Sequence, residues 1–148
     1  MKMLLFIGLM MSAVLSQAAE PATERPTQTV LASEIQAPAG SVRRFHFTSD
    51  ILEHEPVDKL IGLSNKDTEV YFFTELRNFQ GQKITHRWQY DGELLADVTF
   101  NVGSPRWRVW SKKTLSPNWI GEIAVTVIDE QERVLATEVL YYTEASQP

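Results

Sequence analysis

The chain has no cysteine. That excludes disulfides, thiolate metal sites, cysteine nucleophiles and thiol redox chemistry, so the fold must hold by burial alone. It also excludes lipid attachment behind an export signal, which needs a cysteine after the apolar run. No later apolar stretch is long enough to cross a bilayer as a helix. Positive charge is scarce: 14 Lys and Arg face 19 Asp and Glu, for a formal net charge of −5. That balance argues against general nucleic-acid binding, which favours a basic domain, and leaves room for a local basic patch. Hydrolase and nucleotide motifs are missing as well: G-x-S-x-G, H-E-x-x-H, a P-loop and the dinucleotide glycine fingerprint are all absent.

The amino terminus has the form of an export signal. Lys2 supplies the positive start, an apolar run extends from Leu4 to Leu15, and Ser16-Gln17-Ala18 places small residues where a signal peptidase reads them. Cleavage is expected after Ala18, with Ala19 as the alternative. An uncleaved anchor is the rival reading, and the short apolar run argues against it. The expected organisation is a signal peptide over 1–18, a flexible leader over 19–40, one domain over 41–143 and a tail over 144–148. The leader holds Pro21, Pro26 and Pro38 and no aromatic residue, so it cannot bury enough surface to order itself. Val30-Leu31-Ala32 is its only candidate strand.

From Ser41 the texture is that of strands. Val42–Phe47, Glu69–Leu76, Lys83–Tyr90, Glu93–Val102, Arg106–Lys112, Gly121–Ile128 and Arg133–Thr143 are rich in β-formers and separated by turn signals. Asp91-Gly92 is a two-residue hairpin signal. The Asp50–Leu60 stretch reads as a connection, with room for a short strand or a helical turn. About seven strands and no amphipathic helix predict an all-β, immunoglobulin-like antiparallel β-sandwich, with a small closed barrel as the alternative. Period-two alternation puts Leu94, Ala96, Val98 and Phe100 on one face of their strand, and Ile84, His86 and Trp88 inward on theirs.

The richest segment is Arg106-Trp107-Arg108-Val109-Trp110-Ser111-Lys112. Trp107, Val109 and Ser111 share an inward face. Arg106, Arg108, Trp110 and Lys112 share the other. If this strand pairs with Glu69–Leu76, then Tyr71, Phe73 and Glu75 face out beside the basic row. The candidate partner-binding residues are therefore Arg106, Arg108, Trp110, Lys112, Tyr71 and Phe73. Aromatic faces stack on sugars or guanidinium groups, and arginine forks bind carboxylate or phosphate. The plain structural alternative is that Arg106 or Arg108 stacks on Trp110 and pairs with Glu75, merely closing one face of the sandwich.

Val70-Tyr71-Phe72-Phe73-Thr74-Glu75-Leu76, His86-Arg87-Trp88, the Arg106–Lys112 segment, and Gly121 followed by alternating apolar residues into Asp129 together resemble the bacterial family called domain of unknown function 2914. The resemblance spans about Ser64 to Thr143. It implies a cell-envelope protein of Gram-negative bacteria and supplies no activity. Ile123 stands where the family leads one to expect an aromatic residue, a conservative core change.

Three histidines offer little chemistry. Glu53-His54-Glu55 alternates across a strand, so it reads as a charged loop rather than a metal site. His86 faces inward and reads as a structural histidine. Ser111 qualifies as a nucleophile only with His86 beside it. No pair of carboxylates stands out as a glycosidase dyad. The expectation is a non-enzymatic binding or assembly module, periplasmic or secreted, with no cofactor, metal or catalytic residue. Its partner would be an envelope protein or an anionic glycan, not nucleic acid, and it would not insert into the membrane after signal cleavage. The alternatives are a glycan-binding accessory domain and, third, a hydrolase with an unrecognised site. Amino-terminal sequencing of the exported protein should begin at Ala19; an intact Met1 on protein from the envelope would contradict the export reading.

Overall fold

The computed structural model describes residues 39–146. The expected signal peptide, Val30-Leu31-Ala32 and nearly all of the expected leader lie outside the described residues. Ten strands follow in order: β1 (Ser41–Thr48), β2 (Ile51–Leu52), β3 (Glu55–Pro56), β4 (Gly62–Ser64), β5 (Glu69–Arg77), β6 (Lys83–Tyr90), β7 (Glu93–Asn101), β8 (Arg106–Thr114), β9 (Gly121–Ile128) and β10 (Val134–Thr143). Seven are long and three are short, and the described residues contain no helix. The all-β sandwich expected from the turn spacing is the fold observed. One layer is a three-stranded sheet, β1-β5-β8. The other is a five-stranded sheet, β4-β10-β9-β6-β7. A separate hairpin, β2–β3, makes a two-stranded piece of its own. All pairings are antiparallel except β4 with β10, which run parallel.

Local chemistry explains these pairings. Asp91 and Gly92 take φ of 44° and 84°, the two positive values of the turn whose twist matches flanking strands. That turn keeps β7 beside β6 in the larger sheet. A bulge between Trp88 and Gln89 then shifts the register of the pair. Its effect corrects the simple alternation. Leu94 is 60% exposed, while Leu95 packs against the core, because the extra residue re-aims the strand start. A second bulge, at Arg43 in β1, sets Val42 opposite Leu76 and Arg44 opposite Glu75. Without it Arg44 would share the inward face of Val42.

The core lies between the two sheets. Val70, Phe72 and Leu76 from the small sheet meet Ile84, Trp88, Ile123, Val125 and Val127 from the large one, all fully buried. Trp88 packs edge-on against Phe47 and Phe72, with ring centroids 5.8 and 6.4 Å away. The equal inward status expected for Trp107 is only half met. Trp107 is half-buried, because β8 is an edge strand and its indole lies where the sandwich opens.

A polar group crosses the core. His86 of the large sheet lies 2.8 Å from Thr74 Oγ1 and 2.9 Å from Ser111 Oγ, both on the small sheet. Trp88 Nε1 donates to the same Ser111 oxygen at 2.9 Å. Both imidazole nitrogens are therefore occupied and the layers are held in one register. Replacing Trp88 by alanine should remove a buried indole and orphan part of this group, at a cost of about 3–5 kcal/mol. Urea melts check it; a loss below about 1 kcal/mol would contradict the central place given to Trp88.

Candidate functional site

The outer face of the small sheet is built around one carboxylate. β5 presents Tyr71, Phe73, Glu75 and Arg77 outward. Its partners across β8 are Lys112, Trp110, Arg108 and Arg106 in that order. β1 adds His46 opposite Phe73 and Arg44 opposite Glu75. Glu75 sits in the middle, only 4% exposed. Arg44 donates to its Oε2 at 2.7 and 3.1 Å, Arg77 to its Oε1 at 2.7 and 3.1 Å, and Arg106 to Oε2 at 3.3 Å. Arg108 Nε approaches Oε2 at 3.8 Å and, though buried, makes no hydrogen bond.

Burial pushes the Glu75 carboxyl up, but hydrogen bonds from Arg44, Arg106 and Arg77 outweigh it and hold the pKa at about 2. A buried charge persists only when paired this fully.

The β2–β3 hairpin folds over this face. Glu55 pairs with Arg44 and with Arg108, each at 2.9 Å, and the bond from Arg44 lowers its pKa. His54 sets its ring edge-on to Trp110, with centroids 5.5 Å apart. The hairpin turn itself is Glu53-His54, with φ of 50° and 66°. Two non-glycine residues in the left-handed region cost roughly 1–2 kcal/mol each. The contacts of Glu55 and His54 hold the turn there.

The six residues picked from sequence thus have different fates. Arg106 and Lys112 are exposed. Arg108, Trp110 and Tyr71 are half-buried. Lys112 pairs with Glu69 at 2.7 Å and lies over the Tyr71 ring at 5.8 Å. Phe73 is a correction: it is fully buried and offers nothing to a partner. Arg44 covers its ring at 5.1 Å, and His46 lies 5.8 Å away. Its strand parity is outward as expected, but β1 and the hairpin close over it. Sequence reading missed Arg44, Glu55, His54 and Arg77. The bulge brings in Arg44 and the hairpin brings in Glu55 and His54, and neither leaves a propensity signal. Arg77, by contrast, continues the outward parity of Tyr71, Phe73 and Glu75 one residue past the expected end of that strand.

Much of the basic row is accordingly tied up in ion pairs, and the pairing with Glu75 is the part of the structural alternative that is met. His54, rather than Arg106 or Arg108, is the ring set against Trp110. What stays open is the edge of β8. Arg106, Trp107, Arg108, Trp110 and His54 line a cleft of about 590 Å³. Trp107, Arg108, Val109 and Trp110 face Thr99, Phe100 and Asn101 of β7 across a second cleft of about 410 Å³. Two tryptophans from opposite faces of β8 therefore both reach the open side of the sandwich.

Ser111 and His86 are in fact side by side. Both are buried, at 5% and 0% exposure. Burial lowers the His86 pKa to about 3, so the ring is neutral and its nitrogens serve Thr74 and Ser111. No group of three or more His, Asp or Glu arranged to hold a metal occurs among the described residues.

Fold and face define a β-sandwich domain with a basic, aromatic edge. Residues 81–139 match the model of a family described as protein of unknown function (DUF2914). The match supports, over this segment, the family resemblance read from the sequence. The match takes in β6 to β9, with His86, Trp88 and all of β8, and ends within β10. No curated protein matches the chain.

Two carboxylate and imidazole windows set the acid response. The unfolded chain protonates its histidine near 6.5 while native His86 resists to about 3, so stability falls as pH drops below about 6.5. Glu75, depressed from 4.5 to about 2, adds a second loss that begins near pH 4.5 and is complete below about 2. Each proton contributes a slope of up to about 1.4 kcal/mol per pH unit. Urea melts from pH 7 to 2.5 should show a steeper lower leg. Glu75→Gln should cost roughly 2–3 kcal/mol at pH 7 and make that leg shallower while keeping the upper one, since the other carboxylates held low by their partners, Glu55, Asp58, Asp97 and Asp129, still contribute. An unchanged profile in the variant would contradict the role given to Glu75.

Proposed function

We propose that this domain is a non-enzymatic binding or assembly module of the bacterial cell envelope, periplasmic or secreted, that holds an acidic envelope protein at the edge of β8. One observation carries the reading. Trp107 and Trp110 border one cleft with Arg106 and Arg108, which joins apolar contact area to guanidinium forks in a single open place. The ion pairs beneath favour binding over mere cover. Among the described residues, Arg44, Arg77, Arg106, Arg108 and Lys112 share only Glu55, Glu69 and Glu75 in the network, an excess of two positive charges. The export signal read from the sequence and the envelope character implied by the resemblance supply the location.

The absence of an enzymatic role rests on the enclosure of Ser111 and His86. Their reactive atoms are spent on Trp88 and Thr74, inside the core rather than in either cleft. An anionic glycan is the competing partner, favoured by the two half-exposed tryptophans.

Arg106→Ala and Trp110→Ala should each weaken capture of the envelope partner by about tenfold, or roughly 1.4 kcal/mol, while shifting stability by no more than about 1 kcal/mol. Affinity should also fall as salt rises, since exposed charges are screened over about 8–10 Å. Pull-down from envelope extract beside thermal melts checks this. Capture that survives both substitutions, or a wild-type domain that captures nothing, overturns the proposal.

A further inference from the structure

We infer that the free edge of β8 takes an extended, acidic segment of the partner protein as a fourth strand of the small sheet. The inference rests on the binding role proposed above and specifies how that site binds.

The hydrogen-bond phase of β8 carries it. Just beyond one end of the pairing with β5, Asn78 N–H donates to the Pro105 carbonyl at 2.8 Å. Just beyond the other, Leu115 N–H donates to the Thr68 carbonyl at 2.7 Å. In an antiparallel pair, residues directly opposite each other alternate between bonded and non-bonded. With Arg77 opposite Arg106 and Glu69 opposite Thr114, both ends give the same phase. Trp107, Val109, Ser111 and Lys113 spend their backbone groups on β5. The N–H and C=O groups of Arg106, Arg108, Trp110, Lys112 and Thr114 point away from it, along the free edge. Within the described residues only the Arg106 carbonyl among these is answered, by the Ser104 hydroxyl at 2.6 Å. The residues with free backbone groups are the ones whose side chains form the basic row.

A nine-residue edge strand with open backbone groups at alternate residues is a template for strand addition. A strand laid there would send alternate side chains over the cleft beside His54 and Arg106 and over the cleft beside Phe100 and Asn101. Charge chooses the occupant. A second copy pairing antiparallel about Trp110 would set Arg108 of one chain opposite Lys112 of the other, and directly opposed like charges are unfavourable. A segment with carboxylates at alternate positions is favoured at the same places. Past the Arg106 end, Arg43, Arg77 and Arg106 line a further cleft of about 480 Å³ with Ser41, Asn78 and Pro105 and no carboxylate, so the attraction for an acidic chain continues there.

The test uses the exported chain and three probes: a ten-residue peptide alternating Glu with Val, the same peptide N-methylated at alternate residues, and heparin as an anionic glycan. The plain peptide should bind with a Kd below about 1 mM. N-methylation should weaken it at least about tenfold by removing strand hydrogen bonds. Lys112→Pro should do the same, because it deletes a free-edge N–H and no bond to β5, whereas Lys112→Ala should lose less. Amide exchange at Arg108 and Trp110 should slow on binding, with Trp107 and Val109 unchanged. If plain and methylated peptides bind equally, strand addition is wrong and the charged face alone remains. If heparin binds and neither peptide does, this inference falls and the site is a glycan site. If no probe binds up to about 1 mM, the inference and the proposed function both fall. Should Lys112→Pro fail to fold, the methylated peptide and the exchange pattern still decide.

Discussion

A carboxylate shut away from water needs cations around it, and Glu75 imposes that need on one whole face of the molecule. Its oxygens draw Arg44 from β1, Arg77 from its own strand, and Arg106 and Arg108 from β8. Arg44 and Arg108 in turn draw Glu55, which brings the β2–β3 hairpin down onto the sheet. The burial of Phe73, the strained Glu53-His54 turn and the partial cover of Trp110 all follow. The bulge at Arg43 belongs to the same arrangement, since it is what aims Arg44 at the carboxylate.

The inner face of the same three strands meets a different constraint. Thr74 and Ser111 put hydroxyls into an apolar interface, where an unpaired polar atom is costly. His86 and Trp88 answer them from the opposite sheet. The result is a directional link between layers that hydrophobic contact alone does not provide. It also explains why a serine and a histidine within hydrogen-bonding distance need not be catalytic. The ring is dry, neutral and engaged at both nitrogens, and its role is to fix how one sheet lies on the other.

Between these two faces runs the free edge of β8. One face is closed by ion pairs and the other by the core, so the edge is where the small sheet still has unspent chemistry. Its open backbone groups and its half-covered tryptophans coincide because both depend on β8 having no further neighbour in its sheet among the described residues. The cationic side chains along this edge discourage two copies from pairing edge to edge, and under the proposed function they are what would attract an acidic strand. A small sheet of only three strands is well suited to this, since it is complete enough to hold β8 flat and leaves one side of it unpaired.

Much of this was legible in the order of the residues. Period-two alternation put Ile84, His86, Trp88, Val109 and Ser111 inside, and Asp91-Gly92 fixed the β6–β7 hairpin, because strand geometry and turn conformation are local properties of the chain. The outward parity of Arg106, Arg108, Trp110 and Lys112 was legible for the same reason. Exposure was not. Phe73 has outward parity and is buried, because burial depends on what arrives from elsewhere in the chain. Leu94 and Leu95 exchanged roles at a bulge that no residue type announces. The pairing of Glu55 with Arg108, the contact of His86 with Ser111 and the openness of one edge of β8 join residues distant in sequence. Such contacts are decided by how sheets stack and which strands lack a neighbour, and only the tertiary structure sets those.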